Sequence, residues 1–150
     1  MNPFELLKAD HEKVAGLLSE IEDTTERAVQ GREQLFARVK QELDLHAMIE
    51  EEIFYPALEE TEETREITLE AYEEHRLVKQ LLQELEAEPK DSEEWTAKFS
   101  VLKENIEHHV EEEEGEMFKQ AGQALSEEEI EALGERLQEA KRQGKAAAAS

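Results

Sequence analysis

Five histidines punctuate the chain, and four of them share a setting. At about 100° per residue, His11 falls within an apolar helical stripe of Phe4, Leu7, Val14 and Leu18. His75 falls within Ala71, Val78 and Leu82. His46 lies about 20° from Val39, with Glu50 one turn later on the same face. His109 and Glu113 bracket Leu102 in the same way, while His108 points to roughly the opposite side. Four helices therefore each aim a His inward, and two of them also aim a Glu. Burying two carboxylates costs several kcal/mol each unless a cation compensates. Apart from Lys79, no Lys or Arg shares the layer, so the six residues His11, His46, Glu50, His75, His109 and Glu113 read as a metal cage. Imidazole and carboxylate suit iron, manganese or zinc. With Glu50 and Glu113 each bridging, two metals roughly 3.5–4 Å apart would each have two carboxylate oxygens and two His nitrogens. A bridging oxo or hydroxo would still leave a position open to dioxygen, peroxide or nitric oxide. Tyr72, at the stripe's edge, reads first as packing, and Lys79 as a snorkelling side chain.

Spacing alone is a weak signal here. With 36 Glu in the chain, a Glu four residues after a His arises by chance about once in five, and three of the five histidines have one. The stronger signal is an internal repeat. Shifted by 64 residues, ADHEKVAGLLSEIE lies over EEHRLVKQLLQELE, matching His11 to His75. Shifted by 63, KQELDLHAMIEEEIFY lies over KENIEHHVEEEEGEMF, matching His46 to His109 and Glu50–Glu51 to Glu113–Glu114. A repeat that served only core packing would have no need to keep its His and Glu. His108 has no repeat partner, since Leu45 stands at the matching position.

The elements that must hold these side chains are long amphipathic helices. The first opens at Asn2–Pro3 and ends before Gly31; the second runs from about Arg32 to Glu60, with Phe36, Val39, Leu43, Ile53 and Ala57 on one face. Pro56 predicts a kink or an early end near Tyr55. The third runs from about Thr64 to Glu88; the fourth opens at Asp91 or Ser92 and carries Trp95, Phe99, Leu102, Ile106 and Met117, loosened near Gly115. A short fifth helix opens with a Ser126–Glu129 capping box. Short links predict antiparallel neighbours: an all-α, up-down-up-down four-helix bundle with a short fifth C-terminal helix. One domain over 1–140 and a tail over 141–150 are expected.

Composition agrees. Of 150 residues, 40 are acidic, 36 of them Glu and 4 Asp, against 17 Lys and Arg. Glu propagates helices better than Asp, and 6 Gly and 3 Pro leave little for turns. A net charge of −23 repels nucleic acid and anionic lipid. No Cys is present, which removes disulfides, thiolate metal sites and cysteine nucleophiles. No apolar run is long enough to span a membrane, and the N-terminal residues show no secretory pattern, so a cytoplasmic location is the default.

Read together, DHEKV, HAMIEEEIFYP, EHRLV and HHVEEEEGEMF resemble the hemerythrin-like family of HHE cation-binding domains, over about residues 3 to 140. The resemblance implies a four-helix bundle with a non-haem di-iron centre, two iron ions joined by an oxo or hydroxo bridge. It carries over as ligands His11, His46, Glu50, His75, His109 and Glu113. Oxygen-carrying members have a second His one turn from that of the third helix; here Ala71 and Lys79 hold those places. The Cys-containing N-terminal region of the iron–sulfur repair members is missing, and so is the ExxH pattern of ferritin-like proteins. The expected function is a di-iron protein that binds or reacts with dioxygen, nitric oxide or peroxide in sensing or stress response. The alternatives are an oxidoreductase with catalase-like or oxidase activity, and an iron-binding or storage bundle without a redox role. The expected partner is a small diatomic ligand or peroxide, with neither nucleic acid nor membrane.

Overall fold

A computed structural model describes residues 2–149 of the chain, with side chains through residue 147. Those residues form helices and no strand: α1 (Pro3–Glu22), α2 (Val29–Ile49), α3 (Tyr55–Glu59), α4 (Glu62–Ala87), α5 (Glu93–Glu112), α6 (Phe118–Ala124) and α7 (Glu127–Ala149). Two single π-helical turns, Glu50–Phe54 and Glu113–Met117, join α2 to α3 and α5 to α6 without a break. Local chemistry explains the starts. Asn2 Oδ1 accepts from the Phe4 amide at 2.8 Å ahead of Pro3, and Ser92 Oγ accepts from the Trp95 amide at 3.1 Å. Ser126 and Glu129 exchange hydrogen bonds at 3.0 and 3.1 Å, the reciprocal capping box read from the sequence.

The two π turns explain where the helical periodicity slips. Each adds one residue to its turn, so Tyr55 donates its amide to Glu50 O and Phe118 to Glu113 O, five residues back. The inward face therefore moves by one residue. Phe54 and Leu58 are fully buried where Ile53 and Ala57 were expected, and those two are only half-buried. Pro56 does not end the helix. It sits in the first turn of α3, where its missing donor falls just past the π turn. Gly115 lies inside the second π turn.

Two further expectations are corrected. The first connection is residues 23–28, and Gly31 lies inside α2. Thr24 Oγ1 takes the Ile21 carbonyl at 2.6 Å and ends α1, and no described residue adopts a positive φ that would favour glycine as a break. The fifth helix, α7, is not short: it spans 23 residues. Residues 141–149 continue it, so no element ends at the expected boundary at 140; Met1 and Ser150, the outer ends of the expected domain and tail, lie outside the described residues.

Packing sets two apolar layers on either side of a polar one. One layer gathers Leu7, Ile49, Phe54, Leu58, Met117 and Leu137, and so includes α7. The other gathers Val14, Leu18, Val39, Leu82, Trp95 and Leu102. Along each of four helices the inward His stands at the boundary between them: His11 between Leu7 and Val14, His46 between Val39 and Ile49, His75 between Ala71 and Leu82, His109 between Ile106 and Met117. Trp95 anchors the far layer. It is fully buried, stacks on Phe99 at 5.6 Å, carries the Arg32 guanidinium 4.8 Å above its ring, and donates Nε1–H to Leu85 O at 3.0 Å. Trp95→Ala is expected to cost about 3–5 kcal/mol, a fall of roughly 10 °C in Tm by thermal denaturation, without altering the metal-binding stoichiometry.

Candidate metal centre

All six residues singled out by pattern converge in the polar layer, and all six are buried. They form two sets of four donors that share both glutamates. His11, His46, Glu50 and Glu113 make one; Glu50, His75, His109 and Glu113 make the other. Each imidazole turns Nε2 inward. His46 and His75 Nε2 lie 3.1 and 3.2 Å from Glu50 Oε1, and His11 and His109 Nε2 lie 3.2 and 3.1 Å from the two oxygens of Glu113. Within each set the two Nε2 atoms face each other at 3.2 Å.

An outer ring of carboxylates holds this orientation. His11 Nδ1–H donates to Glu114 at 2.6 Å, His46 to Asp10 at 3.0 Å, His75 to Glu51 at 3.0 Å and His109 to Glu74 at 2.6 Å. With the proton on Nδ1, the Nε2 lone pair of each neutral ring points to the centre, which is the tautomer a metal ligand requires. The ring keeps the sequence repeat. Asp10 stands to His46 as Glu74 stands to His109, and Glu51 stands to His75 as Glu114 stands to His11. Sequence reasoning missed these four because the chain is rich in Glu. The available signal was the repeat itself, which matches an acid before His11 and His75 and a second Glu after Glu50 and Glu113.

Tyr55 is the other residue missed. Fully buried, its hydroxyl lies 2.6 Å from Glu113 Oε2, 3.2 Å from Glu50 Oε1, 3.1 Å from His75 Nε2 and 3.3 Å from His109 Nε2. Burial, together with the charges of Glu113 and Glu50, pushes its phenol well above the ordinary range, so it is a donor to the carboxylates. A regular 3.6-residue turn would carry Tyr55 off the inward face; the π turn brings it under Glu50. Phe118 holds the repeat-related place, so the phenol touches the shared glutamates and, of the histidines, His75 and His109. Tyr72 and Lys79 stay outside: Tyr72 Oη reaches the Glu51 carbonyl at 3.5 Å, and Lys79 Nζ pairs with the Glu51 side chain at 3.0 Å.

The donor set fits a pair of metal ions. Two nitrogens each ~2.1 Å from one ion lie roughly 3.0–3.4 Å apart, which matches the facing Nε2 pairs. Glu50 Oε2 and Glu113 Oε1 are buried and accept no hydrogen bond, an arrangement that costs free energy unless a cation supplies the missing partner. Beside the four imidazoles lies a cavity of about 40 Å³, walled by Val14, Val78, Leu82, Ile106 and Val110.

His108 and His109 separate as rotation requires. His109 is buried in the centre, while the His108 side chain is 70% exposed and pairs on the surface with Glu112 at 3.1 Å. His108→Ala should leave metal content unchanged, and His109→Ala should lose metal, as read by elemental analysis of the two purified variants.

A helical bundle with a buried His/Glu centre defines a metal-binding protein built on paired helix hairpins. The family model for the hemerythrin HHE cation binding domain matches residues 2–121, and the chain belongs to that family. A solved structure of a hemerythrin HHE cation binding domain-containing protein from Mycobacterium kansasii, an Rv2633c homolog, superposes with a TM-score of 0.86. The match is 29% identical and covers 99% of this chain and 90% of that one. A curated relative, a DNA nickase of Nostoc sp., is 28% identical over 131 residues, which is 87% of this chain and 36% of the nickase. The chain thus spans about a third of the length of that relative.

Proposed function

We propose that the protein holds two non-haem iron ions, oxo- or hydroxo-bridged, with His11, His46, Glu50, His75, His109 and Glu113 as ligands, and that it binds or reacts with dioxygen, nitric oxide or peroxide. One observation carries this reading: two four-donor sets share both carboxylates, and every imidazole is pinned through Nδ1 with Nε2 inward. Bound there, a pair of redox-active ions would supply electrons and open coordination positions to a small ligand. The rest is done by the chain. The outer carboxylates orient the rings, Tyr55 holds a proton against Glu113, and mostly apolar side chains line the cavity beside them.

Cavity size supports the ligand class. About 40 Å³ suits a diatomic molecule or peroxide better than an organic substrate. The up-down-up-down order of the four main helices and a cytoplasmic location belong to the same reading. So does the absence of a membrane partner; no described helix is long and apolar enough to cross a membrane. Nicking of DNA is not carried over from the Nostoc relative, because a net charge of −23 repels a phosphate backbone.

Anaerobic Fe(II) loading followed by elemental analysis tests the centre, and two ions per chain are expected. Mixing the loaded protein with oxygen or peroxide then separates the roles. A reversible adduct marks carriage or sensing; rapid peroxide loss with oxygen release marks catalase-like activity. Oxidation without an adduct marks an oxidase or storage role. One ion per chain or none overturns the di-iron reading.

A further inference from the structure

The outer ring obeys the internal repeat except where two lysines touch it: Lys79 of α4, whose repeat position is Ala15, and Lys141 of α7. Asp10 is 5% exposed and lies between two partners from different elements. Its Oδ2 accepts from His46 Nδ1 at 3.0 Å, and its Oδ1 pairs with the ammonium of Lys141 on α7. The repeat-related carboxylate, Glu74, holds His109 at 2.6 Å, but α7 has no second copy to supply it with a lysine. The neighbours Glu74 does have on its outer side are His108 and Glu112. Lys141 is well placed for this contact. Leu133 and Leu137 bury the preceding turns of α7, and three residues beyond it Gly144 lies so close to Leu45 of α2 that a Cβ would stand 2.3 Å from Leu45 Cδ1. A larger side chain at residue 144 would force the Leu45 side chain to shift.

We infer that Lys141 is a positioning residue for the metal centre, acting through Asp10 on His46 and making the His11–His46 position unlike the His75–His109 position. The inference rests on the metal-binding reading above. The physical argument concerns charge and freedom of movement. Asp10 without Lys141 is a buried carboxylate with one hydrogen-bond partner, free to swing and to draw more strongly on the His46 N–H. With Lys141 it is fixed from both sides, so the His46 ring is fixed too. The second position contains neither His11 nor His46, so Lys141 bears on it only through the shared glutamates. Lys79 does not duplicate the device: it pairs with Glu51 from a site 49% exposed, where water replaces much of its effect.

The test is competition of Fe(II)-loaded protein against a graded chelator, read as ions retained per chain. Lys141→Met and Lys141→Gln should weaken one ion by about 10- to 100-fold and leave the other near its original affinity. Lys141→Arg, which keeps a cation at the same place, should restore both. In an Asp10→Asn background, Lys141→Met should add no further loss, because the carboxylate through which it acts is gone. Equal weakening of both ions would show a general effect of α7 on the fold and overturn the inference, as would no weakening at all or an undiminished effect without Asp10. Failure of the unaltered chain to hold two ions would instead overturn the di-iron reading itself, so the two failures are distinguishable.

Discussion

Glu113→Ala is expected to take the protein from two bound ions to none, whereas His11→Ala takes it from two to one. The difference follows from sharing. Glu113 and Glu50 belong to both four-donor sets, and each His belongs to one. Removing a shared carboxylate removes a ligand and a negative charge from both positions at once. Glu50→Ala should therefore behave like Glu113→Ala, and His75→Ala like His11→Ala. The consequence for stability is large. A ligand present at a thousand times its Kd adds about 4 kcal/mol per site, so two ions add roughly 8 kcal/mol that the glutamate variants never gain. The metal-free Glu113→Ala chain is weakened as well. His11 and His109 lose the carboxylate each faces at 3.2 and 3.1 Å, and leaving buried groups without their partner costs about 3–5 kcal/mol. Elemental analysis and paired thermal melts, with and without metal, check both parts. An ion retained by Glu113→Ala would show that one position stands without the bridge.

The six inward donors were legible in the sequence, and much of what holds them was not. A His on an apolar stripe declares its direction by the helical period alone, and the repeat declared it twice. Tyr55 was hidden because the period fails there. One π turn moves the inward face by a residue, and nothing in HAMIEEEIFYP shows where the turn falls until its backbone bonds are known. The outer ring was hidden for a different reason. Asp10, Glu51, Glu74 and Glu114 each serve a His on a neighbouring helix, so their role depends on packing rather than on spacing along one helix. The extent of α7 was hidden because its last turns carry no apolar stripe. Backbone propensity of Gln, Lys and Ala, together with contacts at Lys141 and Gly144, extends it past residue 140.

Metal affinity should rise with pH while the stability of the metal-free chain falls, over the same window. Burial opposes charge on His109, but its hydrogen bonds to Glu113 and Glu74 and the charges of Glu113 and Glu50 outweigh it, and its pKa is pushed up to about 10. His11, His46 and His75 are raised in the same way: burial disfavours the cation, and Glu113, Glu50 and Glu51 or Asp10 more than compensate. Glu113 is held well below the ordinary carboxylate range; burial works against this, and Glu50, His109 and His11 overcome it. The metal-free centre therefore stores its charge balance as imidazolium–carboxylate pairs. A histidine whose folded pKa exceeds its unfolded value of about 6.5 stabilises the fold fully below that value and stops doing so as pH rises through the folded pKa. For His109 the stabilisation is lost between about pH 6.5 and about pH 10. Metal entry requires the Nε2 lone pair, so each ion must displace the proton that sits there. One displaced proton makes apparent affinity climb about tenfold per pH unit while the proton is still bound. His109→Ala removes one of these competing protons along with a donor, so the unaltered chain is the one to titrate. Fe(II) titrations in weakly buffered indicator solution should release protons on loading, and melts of the metal-free protein should shift downward across the same window. Affinity that stays flat over those pH units would mean that loading displaces no proton, the imidazoles being already neutral and the glutamates already ionised in the metal-free state.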